Sequence, residues 1–552
     1  MLPTKQRAQI IETMSNTEFD VVVIGGGITG AGIALDAASR GLKTALVEKL
    51  DFASGTSSRS TKLIHGGLRY LKQLEISLVR EYGRERAVMH RLAPHLVRSE
   101  KMLLPLIQGG TYSKFATSVG LMVYDVLAGV EKADQRMMLS KQQTLNLEPL
   151  LPEDKVEGGG IYSEYRTDDA RLTIEVIKTA SKYGACCVNY VEVQDFIYQN
   201  NKIAGVKCHN RHENHFFEIK AKYVVNAAGA WVDSLRAKNN SMNGKRLQHS
   251  KGVHIVVKKE KLPIQQAIYF DVPDGRMIFA IPRGNTTYIG TTDTPYNGSL
   301  EKVKVMREDV DYLVNSVNSA FPSVQLKVED VISSWAGVRP LIYEEGKATT
   351  DISRKDEIFE SESGLITIAG GKLTGFRKMA ERVVDLVAKK FLKDFGSKVR
   401  KCRTDHLPLC GGNFESQEQV DEFITKLAER IIPWGLTMQN AEYLVENYGK
   451  QTKKIIKKML DLMENNPRVG LIRAELWFTL ENEMVLTPED FYERRTGRLY
   501  FNIESVTKYL DDVIADFAEY FDWDEEKTAQ EKEKILERVK EVSHFEPSTV
   551  KN

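Results

Sequence analysis

The sequence predicts an α/β fold: a Rossmann-like dinucleotide-binding domain assembled from separated segments, an inserted antiparallel sheet (an α+β insert), and a helical C-terminal domain. Three observations carry this prediction. A β-branched run, a glycine-rich turn and a small-residue helix follow one another in residues 20–40, apolar residues alternate through 250–294, and beyond about residue 410 the chain turns to charged, helix-forming segments. At 552 residues the chain has room for roughly three or four cores. With 77 Lys+Arg against 76 Asp+Glu it lacks the overall positive field of a general nucleic-acid binder, so no nucleic-acid partner is expected. The five cysteines (Cys186, Cys187, Cys208, Cys402, Cys410) form no C-x-x-C pair, which argues against a disulfide framework or a zinc site, and no metal is expected. Residues 1–19 mix charged and single apolar residues, so no signal peptide is expected. Residues 115–130, the least charged stretch, are broken by Asp125 and fall short of the roughly 20 apolar residues that cross a bilayer.

Taken in order, residues 20–24 (DVVVI) read as a buried strand, 25–30 as a tight turn and 31–40 as a helix stopped by Gly41. Residues 43–48 (KTALVE) supply a second strand, which makes 20–48 one βαβ unit with parallel strands. Residues 223–226 and 365–369 also look like strands, running into Ala227-Ala228-Gly229 and Gly370-Gly371. The first domain, 18–405, is therefore expected to be discontinuous, with segments 18–100, 165–250 and 335–405. The alternation in VHIVV, AIYF, MIFAIP and TYIGTT places the inserted substrate sheet at 101–164 and 251–334. The remaining 406–552 are expected to form a helical cap with helices over 417–432, 441–463 and 524–542, the last a solvated tail rich in Glu and Lys.

Gly25-x-Gly27-x-x-Gly30 has the spacing of a dinucleotide fingerprint, with one glycine each for the tight turn, the approach to pyrophosphate and helix–strand packing. Glu48 ends the second strand, where a carboxylate accepts hydrogen bonds from ribose hydroxyls and repels a 2′-phosphate, which disfavours NADP. The segment 51–71 (DFASGTSSRSTKLIHGGLRYL) is too polar for a core helix. Its hydroxyls, among them Thr56, Ser57, Ser58 and Thr61, suit phosphate and ribose oxygens, and the backbone of Lys62, Leu63, Ile64 and His65 suits a flat polar ring such as a flavin. FAD is expected over NAD.

On these residues the chain resembles the FAD-dependent, quinone-linked (aerobic) glycerol-3-phosphate dehydrogenases over nearly its whole length. The specific pieces are VVVIGGGITGAGIALDAASRG (21–41), TSSRSTKLIHGGLRYL (56–71), YRTDDARL (165–172), KGVHIVV (251–257), IGTTDT (289–294), WAGVRPL (335–341) and IAGGKLTGFRKMA (368–380). Ala230 stands where many relatives have Pro, and Phe376 where Tyr is usual. The resemblance implies noncovalent FAD, with His65 beside the ring, and oxidation of sn-glycerol 3-phosphate to dihydroxyacetone phosphate by hydride transfer from C2 to flavin N5. Electrons then pass to a membrane quinone. An oxidase that makes peroxide from oxygen is the alternative, and the insertion usual in the glycerophosphate oxidases has no room here.

Oxidising a secondary alcohol by flavin needs an acceptor for the hydroxyl proton, rigid placement of the carbon-bound hydrogen, and stabilisation of charge on oxygen. The resemblance assigns the first role to His254, whose ordinary pKa of about 6.5 suits proton acceptance near neutrality, and the last to Arg339. It maps the substrate's phosphate, which needs several cations, onto Arg69, Tyr70, Arg354 and Lys372. Gly371, Leu373 and Thr374, at a strand-to-helix turn, are placed at the flavin pyrimidine. Thr291, Thr292 and Asp293 read as a turn in the substrate sheet. A spanless, cytoplasmic protein reaches quinone by lying on the inner face of the membrane. Residues 377–403 hold ten Lys/Arg against three Asp/Glu. There Met379, Val383, Leu386, Val387, Phe391 and Phe395 are expected to pack on the nucleotide-binding sheet, leaving Lys389, Lys390, Lys393, Lys398, Arg400 and Lys401 as the membrane-facing patch. The same reading admits a homodimer.

Overall fold

The computed structural model describes residues 1–65, 75–110, 135–343, 355–464 and 466–547. The βαβ unit is present as a strand Glu18–Ile24, a helix Ile28–Ser39 and a strand Thr44–Val47. Val21, Val22 and Val23 are all buried because theirs is a central strand. It pairs in parallel with Thr44–Val47 on one side and with His215–Asn226 on the other. Ile366–Gly370 and Cys186–Val188 extend the sheet at the two ends, also in parallel. Five parallel strands thus come from distant parts of the chain. Asp356–Glu360 adds an antiparallel edge, and Val191–Gln199 and Lys202–Asn210 form an antiparallel ladder with His215–Asn226. The helix Ile28–Ser39 packs between Asp169–Lys182 and Phe376–Phe395, with the Phe376 ring at Gly32, where a Cβ would come within 2.9 Å of it.

A second sheet runs Leu247–Lys258, Thr286–Gly290, Met277–Arg283, Ala267–Asp271, Arg98–Ile107, Val156–Arg166. All these pairings are antiparallel except the parallel join of Ala267–Asp271 to Arg98–Ile107. Val331–Ile342 pairs along the other side of Leu247–Lys258. Residues 335–342, expected with the first domain, therefore belong to this sheet. The pairing aligns Trp335 with His254, Gly337 with Gly252 and Arg339 with Ser250, so these alternate residues share one face.

The two faces are covered differently. Val253, Ile255 and Val257 bury against the helix Arg307–Ala320. Val256, Tyr288 and Trp335, on the opposite face, pack on Leu476, Tyr492, Tyr500 and Phe517 of the C-terminal domain. That domain has its own core between Gln417–Ile431, Met438–Tyr448, Thr452–Leu462 and Pro467–Asn482. The helix expected over 441–463 is split at Gly449, at φ +54°, where the chain passes so close to Gly411 that a Cβ would lie 2.2 Å from its carbonyl oxygen. The final helix, Glu525–Ser543, is not simply solvated: Ile535 and Val542 are buried with the second sheet, and the Ser334 hydroxyl donates to the Val542 carbonyl at 2.9 Å. Among the described residues no helix is long and apolar enough to cross a membrane, and no cluster of metal-ligating side chains is found.

Candidate active site

Residues of both sheets line a cleft of about 1140 Å³. At its nucleotide end, Gly25 has φ +114°, and a Cβ there would lie 2.5 Å from the Ala227 carbonyl oxygen. A Cβ on Gly30 would lie 1.9 Å from the Gly25 oxygen. These two glycines let the turn and the first helical turn pack against backbone, whereas Gly27 borders the cleft itself. Glu48 accepts the Gly26 N–H at 2.7 Å through Oε2 and the Leu50 N–H at 2.9 Å through Oε1, which fixes its carboxylate beside the helix N-terminus. Ser57 Oγ accepts the Ile28 N–H at 2.9 Å. A helix N-terminus, an open glycine edge and a carboxylate at the cleft together suit the diphosphate and ribose of FAD.

Within the hydroxyl-rich segment, Thr56, Ser57, Thr61, Leu63 and His65 line the cleft. Ser58, Lys62 and Ile64 do not: each is at most 2 % exposed. Lys62 has φ +58° and directs its ammonium to Asp169 at 2.5 Å and to the Ser58 carbonyl at 3.2 Å. The Lys62 side chain thus braces the segment whose backbone was expected to meet the flavin. The Thr56 hydroxyl donates to the Val338 carbonyl at 2.6 Å, and Thr374 to the His65 carbonyl at 2.9 Å, so the second sheet and the turn after Gly371 hold the segment from both sides. Gly371, Lys372, Leu373 and Thr374 also line the cleft, where strand Ile366–Gly370 passes into a helical turn.

The reactive end is built on the shared face of two paired strands. The His254 ring stacks on Trp335 at a centroid distance of 4.9 Å and an interplanar angle of 10°. Its Nε2 shares a hydrogen bond with Thr61 Oγ1 at 3.0 Å, while Nδ1 has no partner among the described residues. A Cβ on Gly290 would come 2.1 Å from this ring, so only glycine leaves room for it. Burial, with Arg339 and Lys62 as neighbouring cations, holds the His254 imidazole well below its ordinary pKa. The ordinary value near 6.5 therefore does not apply, and the ring is neutral at neutral pH. Arg339 donates to Thr291 Oγ1 at 2.9 Å and to the Thr292 carbonyl at 3.3 Å, and lies 3.4 Å from Asp293. Asp293 in turn accepts a hydrogen bond from Ser250.

Sequence reasoning missed the supports of this pair. Trp335, Thr291, Thr292 and Asp293 orient His254 and Arg339, and Asp169 anchors Lys62. The register that aligns 335, 337 and 339 with 254, 252 and 250 sets these contacts, and it depends on which strands pair and not on a signal in either segment. Tyr269 and Phe279, stacked at 4.2 Å, form an aromatic wall whose Phe279 meets His65 edge-on at 6.4 Å. Arg69, Tyr70 and Arg354 lie outside the described residues, and so do residues 115–130. In the basic segment, Lys390 pairs with Glu360, and Arg400, though exposed, donates to the Arg40 carbonyl at 3.0 Å. Phe395 is 49 % exposed, resting only on the edge of the sheet beside Tyr223 and under the Lys222 ammonium at the end of its helix. Leu392 is also exposed there, beside Lys389 and Lys393.

The glycine cradle and the paired-strand site define an FAD-dependent oxidoreductase, and residues 20–377 match the family described as FAD dependent oxidoreductase. Residues 402–528 match the C-terminal domain of alpha-glycerophosphate oxidase. The chain is 49% identical over 546 residues to the aerobic glycerol-3-phosphate dehydrogenase of Bacillus subtilis (strain 168), covering 98% of this chain and 97% of that protein. Its counterpart in Staphylococcus aureus (strain NCTC 8325 / PS 47) is 48% identical, with 98% of each covered. The crystal structure of the glycerol-3-phosphate dehydrogenase from Bacillus halodurans complexed with FAD matches with a TM-score of 0.84 and 42% identity over 99% of both chains. A glycine oxidase from Geobacillus kaustophilus, at 21% identity and a TM-score of 0.53 over 71% of this chain, shares the fold. The chain belongs to the family of aerobic, FAD-dependent glycerol-3-phosphate dehydrogenases, and FAD is its cofactor.

Proposed function

We propose that this protein oxidises sn-glycerol 3-phosphate to dihydroxyacetone phosphate and passes the electrons to a membrane quinone. The observation that carries the reading is the meeting of His254 and Arg339 from adjacent antiparallel strands, in the cleft that also holds the glycine cradle. FAD, when bound there, takes up the hydride released from C2. His254, kept neutral, accepts the proton of the C2 hydroxyl. Its weak basicity suffices when proton and hydride leave together, because the hydroxyl grows more acidic as C2 loses hydride and Arg339 offsets negative charge left on the oxygen. Arg339, steadied by Thr291 and Asp293, holds the C2 oxygen while its charge changes. Lys372, at the cleft, supplies one of the cations that the phosphate dianion needs, the role the resemblance also gives to Arg69, Tyr70 and Arg354.

For quinone access, Leu392, Phe395, Lys389, Lys393, Lys398 and Lys401 present an exposed apolar and basic surface suited to an anionic bilayer on the cytoplasmic side. The purified protein should be yellow and bleach anaerobically on addition of glycerol 3-phosphate; failure to bleach would end this reading. Reoxidation by a soluble quinone much faster than by oxygen supports the dehydrogenase. The match of 402–528 to an oxidase domain makes oxygen the acceptor to test beside it. Salt-sensitive cosedimentation with anionic vesicles tests the membrane face, and sedimentation velocity tests for a homodimer.

A further inference from the structure

The Asp51 side chain is buried, does not line the cleft, and is held by four donors. Arg494 Nε reaches it at 2.6 Å, Arg495 Nη1 and Nη2 at 2.7 and 2.8 Å, and Asn189 Nδ2 at 2.9 Å. The two arginines come from Asp490–Arg495, a π-helical segment of the C-terminal domain 444 residues further along the chain. They are themselves fixed: Arg494 donates to Asp490 at 2.8 Å, Asp490 accepts from the Tyr190 hydroxyl at 2.7 Å, and Arg495 donates to the Glu483 carbonyl at 3.0 Å.

Asp51 sits in the turn that carries the nucleotide-binding groups. Glu48 lies three residues before it. After it, the Ser54 N–H donates to the Asp51 carbonyl at 3.2 Å, and Ala53, at φ +63°, donates its N–H to the Gly26 carbonyl at 3.0 Å. Phe52 packs against Gly26, where a Cβ would lie 2.9 Å from its ring. The chain then brings Ser57 onto the Ile28 N–H. A buried carboxylate with two guanidinium partners is a poor general stabiliser, because desolvation offsets most of its attraction. What a bidentate fork supplies beyond an apolar contact is a fixed position.

We propose that Asp51 and Arg495 are positioning residues for FAD: the docked C-terminal domain pins the 48–57 turn and so holds Glu48 and Ser57 at the helix N-terminus. The C-terminal domain is then part of the cofactor site without touching the cofactor. Asp51 is held at about 2 by its arginines despite burial, which keeps the clamp charged at every working pH.

The test uses full-length protein stripped of FAD and titrated back, with affinity read by flavin fluorescence and dissociation rate by stopped flow. The parent's own titration checks separately that FAD is the occupant. Arg495→Lys keeps the charge and loses the fork, and Asp51→Asn keeps the shape and loses the charge. Each should weaken FAD about 10- to 100-fold, the usual worth of a charged hydrogen bond, while KM for glycerol 3-phosphate at saturating FAD stays within about twofold. A merely structural pair would lower the apoprotein Tm and leave FAD affinity unchanged, and that result in either folded variant overturns the proposal. Should Asp51→Asn not fold, Arg495→Lys decides, supported by Asn189→Ala, which removes one neutral donor and should raise the FAD dissociation rate by a smaller factor.

Discussion

Gly252→Ala moves Arg339 without removing it, and so isolates the value of its position. Gly252 lies on Leu247–Lys258 directly opposite Gly337. A Cβ there would come 2.4 Å from Arg339 Nη2, 2.7 Å from its Cζ and 2.6 Å from Thr291 Oγ1. No contact at those distances survives, and the groups that must give are the end of a flexible side chain and a hydroxyl. The fold should therefore tolerate the change, with Tm close to the parent's. The guanidinium must retreat, and the 2.9 Å bond to Thr291 that orients it must break. A charged hydrogen bond to the reacting oxygen is worth roughly 1.5–3 kcal/mol, which corresponds to about 10- to 100-fold in rate. The assay is anaerobic single-turnover reduction of bound flavin by glycerol 3-phosphate, with FAD content measured in parallel. Gly252→Ala should lose about that factor at unchanged FAD content, and Arg339→Ala should add little further loss in the Gly252→Ala background. A rate within twofold of the parent would refute the reasoning, since it would mean that the orientation of Arg339 by Thr291 contributes nothing to the reaction.

His254→Ala should slow flavin reduction by about 10²–10⁴ while FAD content is kept, and reduction at the parent rate would make His254 structural. Because the acceptor must be deprotonated and burial depresses its pKa, the parent's reduction rate should stay flat as pH falls through 6.5 and decline only below it; a limb at or above 6.5, absent in His254→Ala, would contradict that placement. Acid precipitation should release all the yellow colour into solution, whereas colour kept in the pellet would point to covalent attachment at His65. Gly30→Ala, whose Cβ would meet the Gly25 carbonyl oxygen at 1.9 Å with only backbone to yield, should abolish FAD binding and lower Tm; an FAD-replete variant would remove Gly30 from the fingerprint.

Much of the nucleotide end was legible in the sequence because its rules are local. The positive φ of Gly25 and the closeness of Gly30 to the Gly25 carbonyl are local demands, and Glu48 is placed by the length of one βαβ unit, so spacing could locate the turn and its strand end. Period-two alternation likewise located the strands of the substrate sheet, and the change of composition located the helical domain. The relative placement of distant segments was not legible. Strand pairing decided that Trp335 underlies His254 and that Thr291 and Asp293 steady Arg339, because register depends on which strands meet and not on either strand's own pattern. The fold also decided that the Lys62 side chain, within the hydroxyl-rich segment, is buried as a brace for Asp169. Docking of the C-terminal domain decided the surroundings of Asp51, and made the last helix half-buried where its composition reads as solvated. Local sterics and periodicity act between near neighbours and are written in the sequence; packing free energy is shared among segments hundreds of residues apart, and only the assembled tertiary structure determines which of them meet.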